Sequence, residues 1–317
     1  MSIDTPSPSE LVSRVVAGER RAIARALSAL EAEAAGSGDV LAGLVPHLGG
    51  ATVAGITGPP GAGKSTLVNA IITEARASGL RVAVLAVDPS SPVTGGAILG
   101  DRIRMASALD DDGVFVRSLG SRGALGGLTP AAVRMIDVLD AAGFGLILLE
   151  TVGTGQSEVD VAEVADVVLV VSAPGLGDGI QAIKAGLLEI ADILVVNKSD
   201  REGADRTVEE LKAGLALRAS SGDVPVLKTT AMTGAGVAEL WREMTSQAAR
   251  RLAEGLVARR RRRARYLIAR AAADLVARRI RRGDAAIDIL ADAVLAGAST
   301  PFEAATRALG LPPVRGP

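Results

Sequence analysis

The sequence predicts an α/β fold in which a mostly parallel sheet is flanked by helices. Between residues 51 and 230, short aliphatic and β-branched runs alternate with helix-favouring stretches, which is the pattern of βαβ units. Most of these runs are continuously apolar, as in strands buried on both faces. The strands are predicted at 51–57, 81–87, 114–117, 145–149, 167–172, 193–197 and 224–229.

Helix-favouring segments without a strand pattern lie on both sides of this region. An alanine-rich helix is predicted over 10–34, before a break at Gly36-Ser37-Gly38. Further helices are predicted at 65–76, 205–218, 236–253, 255–282, 284–296 and 302–309. We therefore expect an N-terminal helical extension (1–47), an α/β domain (48–250) and a C-terminal helical arm (251–317).

Composition excludes several classes of function. The 317 residues are 48% hydrophobic, enough for one substantial core. The chain has no cysteine and a single histidine, His47, so disulfides, thiol nucleophiles and histidine-rich metal stores are excluded, and His47 is interpreted as structural. Lys+Arg is 35 and Asp+Glu is 36, so we expect neither nucleic acid nor membrane as a partner. The polar first ten residues lack a signal peptide's apolar centre, and a cytoplasmic protein is expected.

A glycine-rich loop follows the first predicted strand. It consists of Gly58, Pro59, Pro60, Gly61, Ala62, Gly63, Lys64, Ser65 and Thr66. The string fits the G-x-x-x-x-G-K-[ST] phosphate-loop pattern, between a predicted strand and a predicted helix. Backbone N–H groups of such a loop and the start of the next helix bind phosphates. We therefore predict that Lys64 contacts the β- and γ-phosphates of a nucleotide and that Ser65 holds Mg²⁺.

A second motif, Asn197-Lys198-Ser199-Asp200, stands at the end of the strand predicted at 193–197. The Asp200 carboxylate can accept hydrogen bonds from the N1–H and 2-amino groups of guanine, and adenine lacks this donor pair. Asn197 can tie this loop to the phosphate loop, and the Lys198 stem can cover the base. A backbone contact to the guanine oxygen is predicted from the segment Thr230, Ala231 and Met232. The predicted ligand is therefore GTP or GDP.

Carboxylates follow two of the predicted strands. Asp88 follows 81–87 and Glu150 follows 145–149, and the carboxyl ends of parallel strands face the ligand crevice. Both can hold Mg²⁺ through its water shell, although a helix N-cap or turn role is the alternative. Asp101, after a glycine-rich loop, is a third candidate with the same alternative. Together with Ser65 these three acids form the predicted metal site, and with Lys64 they form the predicted catalytic set.

The arginine run Arg259–Arg263, followed by Arg265, allows three interpretations. It can contact nucleic acid, form the solvated face of a helix, or make ion pairs across a subunit interface. The balanced net charge and the absence of interleaved aromatic residues disfavour nucleic acid. Of the three interpretations, an interaction arm is the one we expect.

Residues from about 50 to 235 together resemble one family, the MeaB/ArgK-like GTPases, which includes the mitochondrial methylmalonic aciduria type A protein. These are P-loop GTPases of the class that also holds the signal-recognition-particle and nickel-insertion GTPases. The matching strings are 58–66, 88–105, 117–118, 121–123, 125–127, 150–157, 175–178, 181–186 and 197–200. The strings at 88–105 and 150–157 are the most specific of these.

The resemblance implies a GTP-hydrolysing chaperone that gates adenosylcobalamin delivery to an acyl-CoA mutase of the methylmalonyl-CoA mutase type and protects it. It also implies a homodimer formed through the C-terminal arm. Residues 175–186 resemble the family's third switch, in which Lys184 matches a family lysine. Gly179 stands where family members usually carry an acidic residue. Slow turnover is expected until the mutase orders the loops 89–100 and 151–157, of which the second contains Gln156.

Four other functions are disfavoured by particular features of the sequence. A nickel-insertion GTPase relies on histidine and cysteine ligands, which this chain almost entirely lacks. A protein-targeting GTPase would carry a methionine-rich RNA-binding domain. A kinase of periplasmic amino-acid-binding proteins does not account for the guanine-reading motif. An interaction protein with an inactive site does not account for the intact Lys64, Ser65, Asp88 and Glu150.

Overall fold

Seven parallel strands form one sheet in the computed structural model of the protein. The structure describes residues 6–88, 111–120, 128–151, 157–176, 186–217 and 224–311. The strands are β1 (Thr52–Thr57), β2 (Val82–Asp88), β3 (Val114–Gly120), β4 (Leu146–Thr151), β5 (Val167–Ser172), β6 (Ile193–Val196) and β7 (Val226–Lys228). Their order across the sheet is β3-β2-β4-β1-β5-β6-β7, and every neighbouring pair is parallel. The predicted fold class is confirmed, and β1 lies at its centre.

Helices precede the sheet, connect its strands and follow it. Those described are α1 (Pro8–Val16), α2 (Arg20–Glu31), α3 (Ser37–Leu44), a 3-10 turn (Val45–His47), α4 (Lys64–Ala77), α5 (Pro130–Ala141), α6 (Ser157–Val164), α7 (Leu188–Ile190), α8 (Ala204–Ala216), α9 (Val237–Leu252), α10 (Leu256–Arg282), α11 (Ala285–Leu295) and α12 (Pro301–Ala308). Among the described helices, none is both long enough and apolar enough to cross a bilayer.

The N-terminal extension departs from the single helix predicted over 10–34. Gly18, with φ of 76°, ends α1, and the chain starts again as α2. Positive φ favours glycine because it has no Cβ. The predicted break at Gly36 is instead the start of a third helix, because Gly36 takes the left-handed conformation at its N-cap. The alanine-rich composition therefore did not indicate the turn at Gly18, which separates α1 from α2.

The sheet is buried between two helical layers. On one face, α4 and α9 cover an aliphatic cluster that includes Ile56, Leu148 and Leu169. On the other face the side chains of α6 come very close to β1. A Cβ built on Gly55 would lie 2.8 Å from Val161, so this strand accepts α6 only with glycine at that position. The near-continuous apolar runs of the sequence therefore reflect burial on both faces.

Carboxylates hold the amino ends of several strands. The Asp140 carboxylate accepts hydrogen bonds from the N–H groups of Gly49, Gly50 and Ala51, at 2.9–3.1 Å. Asp192 accepts one from the Val168 N–H at 2.8 Å. Backbone groups that precede a strand have no ladder partner, and a buried one costs free energy unless it is paired. These acids therefore fix where β1 and β5 begin.

The arginine run at the start of α10 packs into the protein. Arg259 and Arg263 are buried, and each donates hydrogen bonds to Asp166, which is also buried. Arg262 reaches the same carboxylate at 3.4 Å. The spacing i, i+3, i+4 places the three arginines on one helix face. The expected interaction arm is therefore wrong for these residues, because their partner lies more than ninety positions earlier in the chain, where spacing gives no hint of it.

The chain divides into two compact units, Met1–Arg263 and Ala264–Pro317. The second unit contains the greater part of α10 together with α11 and α12. An open groove of about 420 Å³ in this unit is almost wholly apolar. It is lined by Ile280, Ile287, Leu290, Ala291, Val294, Leu295, Pro301, Ala304, Ala305 and Ala308. The functional division of the chain at 47/48 and 250/251 stays a prediction.

Two acids one helical turn apart on α5 should respond oppositely to removal of their charge. Burial raises the pKa of Asp137 above its ordinary value of 3.8, against the attraction of Arg263 and Arg260. Its ionised form is therefore less favourable in the folded protein than in the unfolded chain. Asp137→Asn should raise the free energy of unfolding at pH 7, and the gain should vanish as the pH falls below 3.8.

Asp140→Asn is the matched variant. It keeps one acceptor oxygen for three backbone N–H groups, so it should lower the free energy of unfolding by about 1–3 kcal/mol. Urea denaturation of both variants between about pH 3 and pH 8 measures the two effects. A loss of stability in Asp137→Asn at pH 7 would contradict the assigned cost of its burial.

Candidate nucleotide-binding site

The phosphate loop lies between the end of β1 and the start of α4, at the carboxyl edge of the sheet. Two of its glycines are required by their surroundings. Gly58 has φ of 136°, and a Cβ there would lie 2.1 Å from the carbonyl oxygen of Val171. Gly63 has φ of 87°, and its Cβ would lie 2.5 Å from Nδ2 of Asn197. The loop therefore fits against β5 and against the predicted guanine-reading motif only with glycine at both positions.

Lys64 is buried at the first position of α4. Its Nζ donates to the carbonyl oxygens of Gly58, at 2.8 Å, and Pro59, at 3.0 Å. The ammonium group therefore lies inside the loop that the sequence predicts to bind phosphates. A phosphate oxygen is anionic and accepts a stronger hydrogen bond than a carbonyl does. The position of Lys64 therefore suits the predicted contact to the β- and γ-phosphates.

Ser65 at the start of α4 and Glu150 near the end of β4 lie in contact on one face of the sheet. The Ser65 hydroxyl donates to Oε1 of Glu150 at 2.7 Å, and the carboxylate is almost fully buried. In the register of the sheet, Glu150 of β4 stands opposite Ile56 of β1, and its side chain points to the face covered by α4. A hydroxyl and a carboxylate are hard oxygen donors of the kind Mg²⁺ prefers. The two residues thus fit a magnesium site.

The other two predicted metal ligands, Asp88 and Asp101, have side chains outside the described residues. The backbone of Asp88 ends β2, where it stands opposite Gly120 of β3, so this strand end does lie at the same edge as the phosphate loop. The Asp88 side chain and the whole of Asp101 lie outside the described residues. The same holds for the loop 89–100, for residues 152–156 with Gln156, and for 177–185 with Gly179 and Lys184. The roles of these residues stay predictions.

Asn197 joins three segments of the site. Its Nδ2 donates to the Ala62 carbonyl oxygen at 3.0 Å. Its Oδ1 accepts from the Ala231 N–H at 3.1 Å and from the Thr229 hydroxyl at 3.2 Å. The predicted tie between this motif and the phosphate loop is confirmed. Thr229 is a site residue that the motif alone did not indicate; its position directly after β7 is the signal that could have found it.

Lys198 lies over the phosphate loop. Its φ of 56° is unusual for a residue other than glycine, and its Nζ donates to the Gly61 carbonyl oxygen at 2.6 Å. The lysine stem thus spans from one loop to the other, as expected for a residue that covers a base. Ser199 shares a hydrogen bond of 3.0 Å with the Thr230 hydroxyl, a second cross-link that the sequence pattern missed. Asp200 is exposed beside them, accessible to a ligand.

The predicted backbone contact to guanine meets competition inside the protein. The Thr230 N–H donates to the Ala235 carbonyl oxygen at 2.9 Å, and the Ala231 N–H donates to Asn197. Met232 is largely exposed. The contact therefore has to come from the Met232 N–H or replace one of these bonds. It remains a prediction.

The fold and these contacts define a P-loop GTPase. Its parts are a phosphate loop at the central strand, a serine–glutamate pair that fits the predicted metal site, and an asparagine that ties the predicted guanine-reading loop to the phosphate loop. Comparison with known proteins then gives the family. The sequence model described as "Methylmalonyl Co-A mutase-associated GTPase MeaB" matches residues 21–285. The chain belongs to the MeaB family, and GTP hydrolysis is its activity.

Two relatives and one solved structure agree with this placement. A putative GTPase of Pyrococcus horikoshii is 51% identical over 240 residues, which cover 74% of this chain and 76% of that protein. The mouse mitochondrial methylmalonic aciduria type A homolog is 38% identical over 213 residues, 65% of this chain and 51% of that protein. A crystal structure of a protein titled LAO/AO transport system kinase has a TM-score of 0.76 at 25% identity, with 98% and 99% of the two chains covered.

Lys64→Ala should reduce GTP hydrolysis by roughly 100-fold or more, because it removes the one buried cation of the phosphate loop. The fold should persist, because Lys64 donates to the carbonyl oxygens of Gly58 and Pro59 in its own loop. Phosphate release measures the rate, and circular dichroism checks the fold. Lys212→Ala, an exposed lysine on α8, is the control. A Lys64→Ala protein that hydrolyses GTP at the wild-type rate would refute the site.

Asp200→Asn should weaken binding of GDP by about ten- to a hundredfold, because an amide cannot accept both guanine N–H donors as a carboxylate does. It should also improve the relative binding of xanthosine diphosphate, which presents an acceptor where guanine presents the 2-amino donor. Competition against a fluorescent guanine nucleotide measures both affinities. An unchanged ranking of the two bases would show that Asp200 does not read the base.

Proposed function

We infer that the protein is a chaperone that uses GTP hydrolysis to gate adenosylcobalamin delivery to an acyl-CoA mutase of the methylmalonyl-CoA mutase type, and to protect that mutase. The observation that carries this inference is the match of residues 21–285 to a family described by its association with methylmalonyl-CoA mutase. The mouse relative, named for methylmalonic aciduria, supports it. The client enzyme itself is a proposal.

The site residues have distinct roles in the proposed reaction. Hydrolysis of GTP needs positioning and charge neutralisation more than covalent help. Lys64 would turn from the Gly58 and Pro59 carbonyls to the β- and γ-phosphate oxygens. Ser65 and Glu150, with the predicted Asp88 and Asp101, would hold Mg²⁺ directly or through water. When bound, Mg²⁺ neutralises charge on the phosphate oxygens.

Base selection and phosphate binding are coupled through Asn197. Because its amide contacts the phosphate loop and the segment after β7 at once, a nucleotide that seats the base also orders the loop around the phosphates. The stimulated rate would then depend on the mutase ordering the predicted switch loops at 89–100 and 151–157. We therefore expect slow turnover by the protein alone.

A homodimer through the C-terminal residues is part of the proposal. The second unit exposes large apolar side chains, among them Ile268, Ile289 and Leu295, and contains the apolar groove of α11 and α12. Contiguous exposed apolar surface of this kind marks interaction sites. A second copy of the chain is the occupant that the family resemblance implies.

The client can be found by its effect on GTP hydrolysis. Purified methylmalonyl-, isobutyryl-, ethylmalonyl- and 2-hydroxyisobutyryl-CoA mutases would each be added to the protein. The client should raise the rate at least about tenfold, equivalent to about 1.4 kcal/mol of barrier. The same pair should also slow inactivation of the loaded mutase during turnover in the presence of GTP.

The control is the Lys64→Ala protein with the same mutases. It should bind the client on a sizing column but give neither stimulation nor GTP-dependent protection. If none of the four mutases changes the GTPase rate or forms a complex, the proposed client class is wrong, while the GTPase assignment stands.

A further inference from the structure

The buried arginines of α10 lie at the edge of the sheet opposite the nucleotide site. Both oxygens of the Asp166 carboxylate are engaged there. Oδ1 accepts from Arg259 Nε at 2.8 Å and from Arg262 at 3.4 Å. Oδ2 accepts from the Val53 N–H at 2.9 Å, from Arg263 at 3.3 Å and from Arg259 Nη2. One carboxylate therefore joins the helix to the start of the sheet.

Asp166 ties the start of β5 to the start of β1. Besides the bond from its carboxylate to the Val53 N–H, its own N–H donates to the Val53 carbonyl oxygen at 2.7 Å. Arg259 strengthens this tie, because the same guanidinium group that holds Asp166 also donates to the Ala51 carbonyl oxygen at 2.6 Å. The two strands and the first turns of α10 thus share one anchor. Arginine suits it because its fork of N–H donors is rigid and planar.

The other ends of the same two strands support the phosphate loop. In the register of the sheet, Thr57 at the end of β1 stands opposite Val170. The next residue, Gly58, turns so closely onto β5 that a Cβ would overlap the Val171 carbonyl oxygen. A slide of β1 along β5 would therefore move the loop into β5 or away from it. Asp166 therefore fixes the alignment of β1 with β5 that lets Gly58 fit against the Val171 carbonyl group.

We propose that Asp166 and Arg259 are positioning residues for the phosphate loop and act through the offset of β1 against β5. Neither side chain contacts the nucleotide in this proposal. The first turns of α10 then form part of the support of the nucleotide site. The proposal rests on GTP binding by the family and not on the identity of the client mutase, so the two can fail separately.

A purely structural cluster would behave differently. Buried ion pairs contribute little net stability compared with apolar packing, and in some proteins they are retained because they set register. A cluster that only attached α10 would change the melting temperature and leave nucleotide affinity unchanged in a folded variant. A cluster that sets the strand offset would change the affinity for GDP as well.

Arg259→Lys tests the difference, with Arg261→Lys as the matched control. Lysine keeps the charge at 259, but one ammonium group cannot reproduce the planar bridge between Asp166 and Ala51. Arg261 lies in the same run on an exposed position. Well below the unfolding temperature of each protein, Arg259→Lys should weaken binding of a fluorescent GDP analogue and raise the KM for GTP, each by about three- to tenfold. Arg261→Lys should match the wild type in both.

A folded Arg259→Lys protein with wild-type affinity and KM would overturn the proposal. A second measurement on the unaltered protein covers the case in which that variant does not fold. Coupling between two sites is reciprocal, so saturating GDP should slow hydrogen exchange at the Val53 amide. The Val82 amide, held by the Gly113 carbonyl oxygen at the start of β2, is the internal reference, because β2 pairs with neither β1 nor β5. Slowing at Val53 should exceed that at Val82 by about threefold or more; equal slowing would refute the coupling.

Discussion

The offset between β1 and β5 is the constraint on which the rest of the site depends. Gly58, directly after β1, lies against the Val171 carbonyl group of β5, so the loop fits at only one position along β5. From there the loop must meet Asn197, whose amide occupies the space where a Cβ of Gly63 would stand. The two glycines are therefore fixed by distances to neighbouring strands. Phosphate binding and base selection therefore depend first on the alignment of the strands, because that alignment positions the side chains that make the contacts.

The two edges of the sheet use charge in opposite ways. At the amino edge, carboxylates such as Asp140 and Asp166 accept the N–H groups from which strands start, and one of them is matched by buried arginines. At the carboxyl edge, Lys64 lies among the carbonyl groups of its own loop. A buried charge is tolerated only when it is paired or hydrogen-bonded. At the amino edge these carboxylates are paired with protein N–H groups and arginines, whereas at the carboxyl edge Lys64 can engage an anionic ligand.

Local patterns carried much of the fold and the site. The central strands were predictable because each is a short aliphatic run that is almost fully buried, whereas the edge strand β7 is only partly buried. The phosphate loop and the Asn197 motif were predictable because their chemistry needs particular residues at consecutive positions. Local patterns failed where one residue decided the outcome: Gly18 divides the predicted N-terminal helix, since a single positive φ costs glycine nothing. Contacts such as Thr229 to Asn197 were also missed, because they join separate strands.

By itself, the sequence determined the α/β class and the P-loop GTPase motifs, and it predicted which residues bind phosphate and base, because periodicity and motif spacing are local properties of the chain. Only the tertiary structure decided the meaning of the arginine run. The same five residues could form a solvated face or an interaction arm. Which of these they form depends on whether the fold places a carboxylate within hydrogen-bonding distance. Asp166 lies far away in sequence and is brought to Arg259 by the order of the strands. Burial and long-range pairing are set by that topology, which spacing along the chain does not encode.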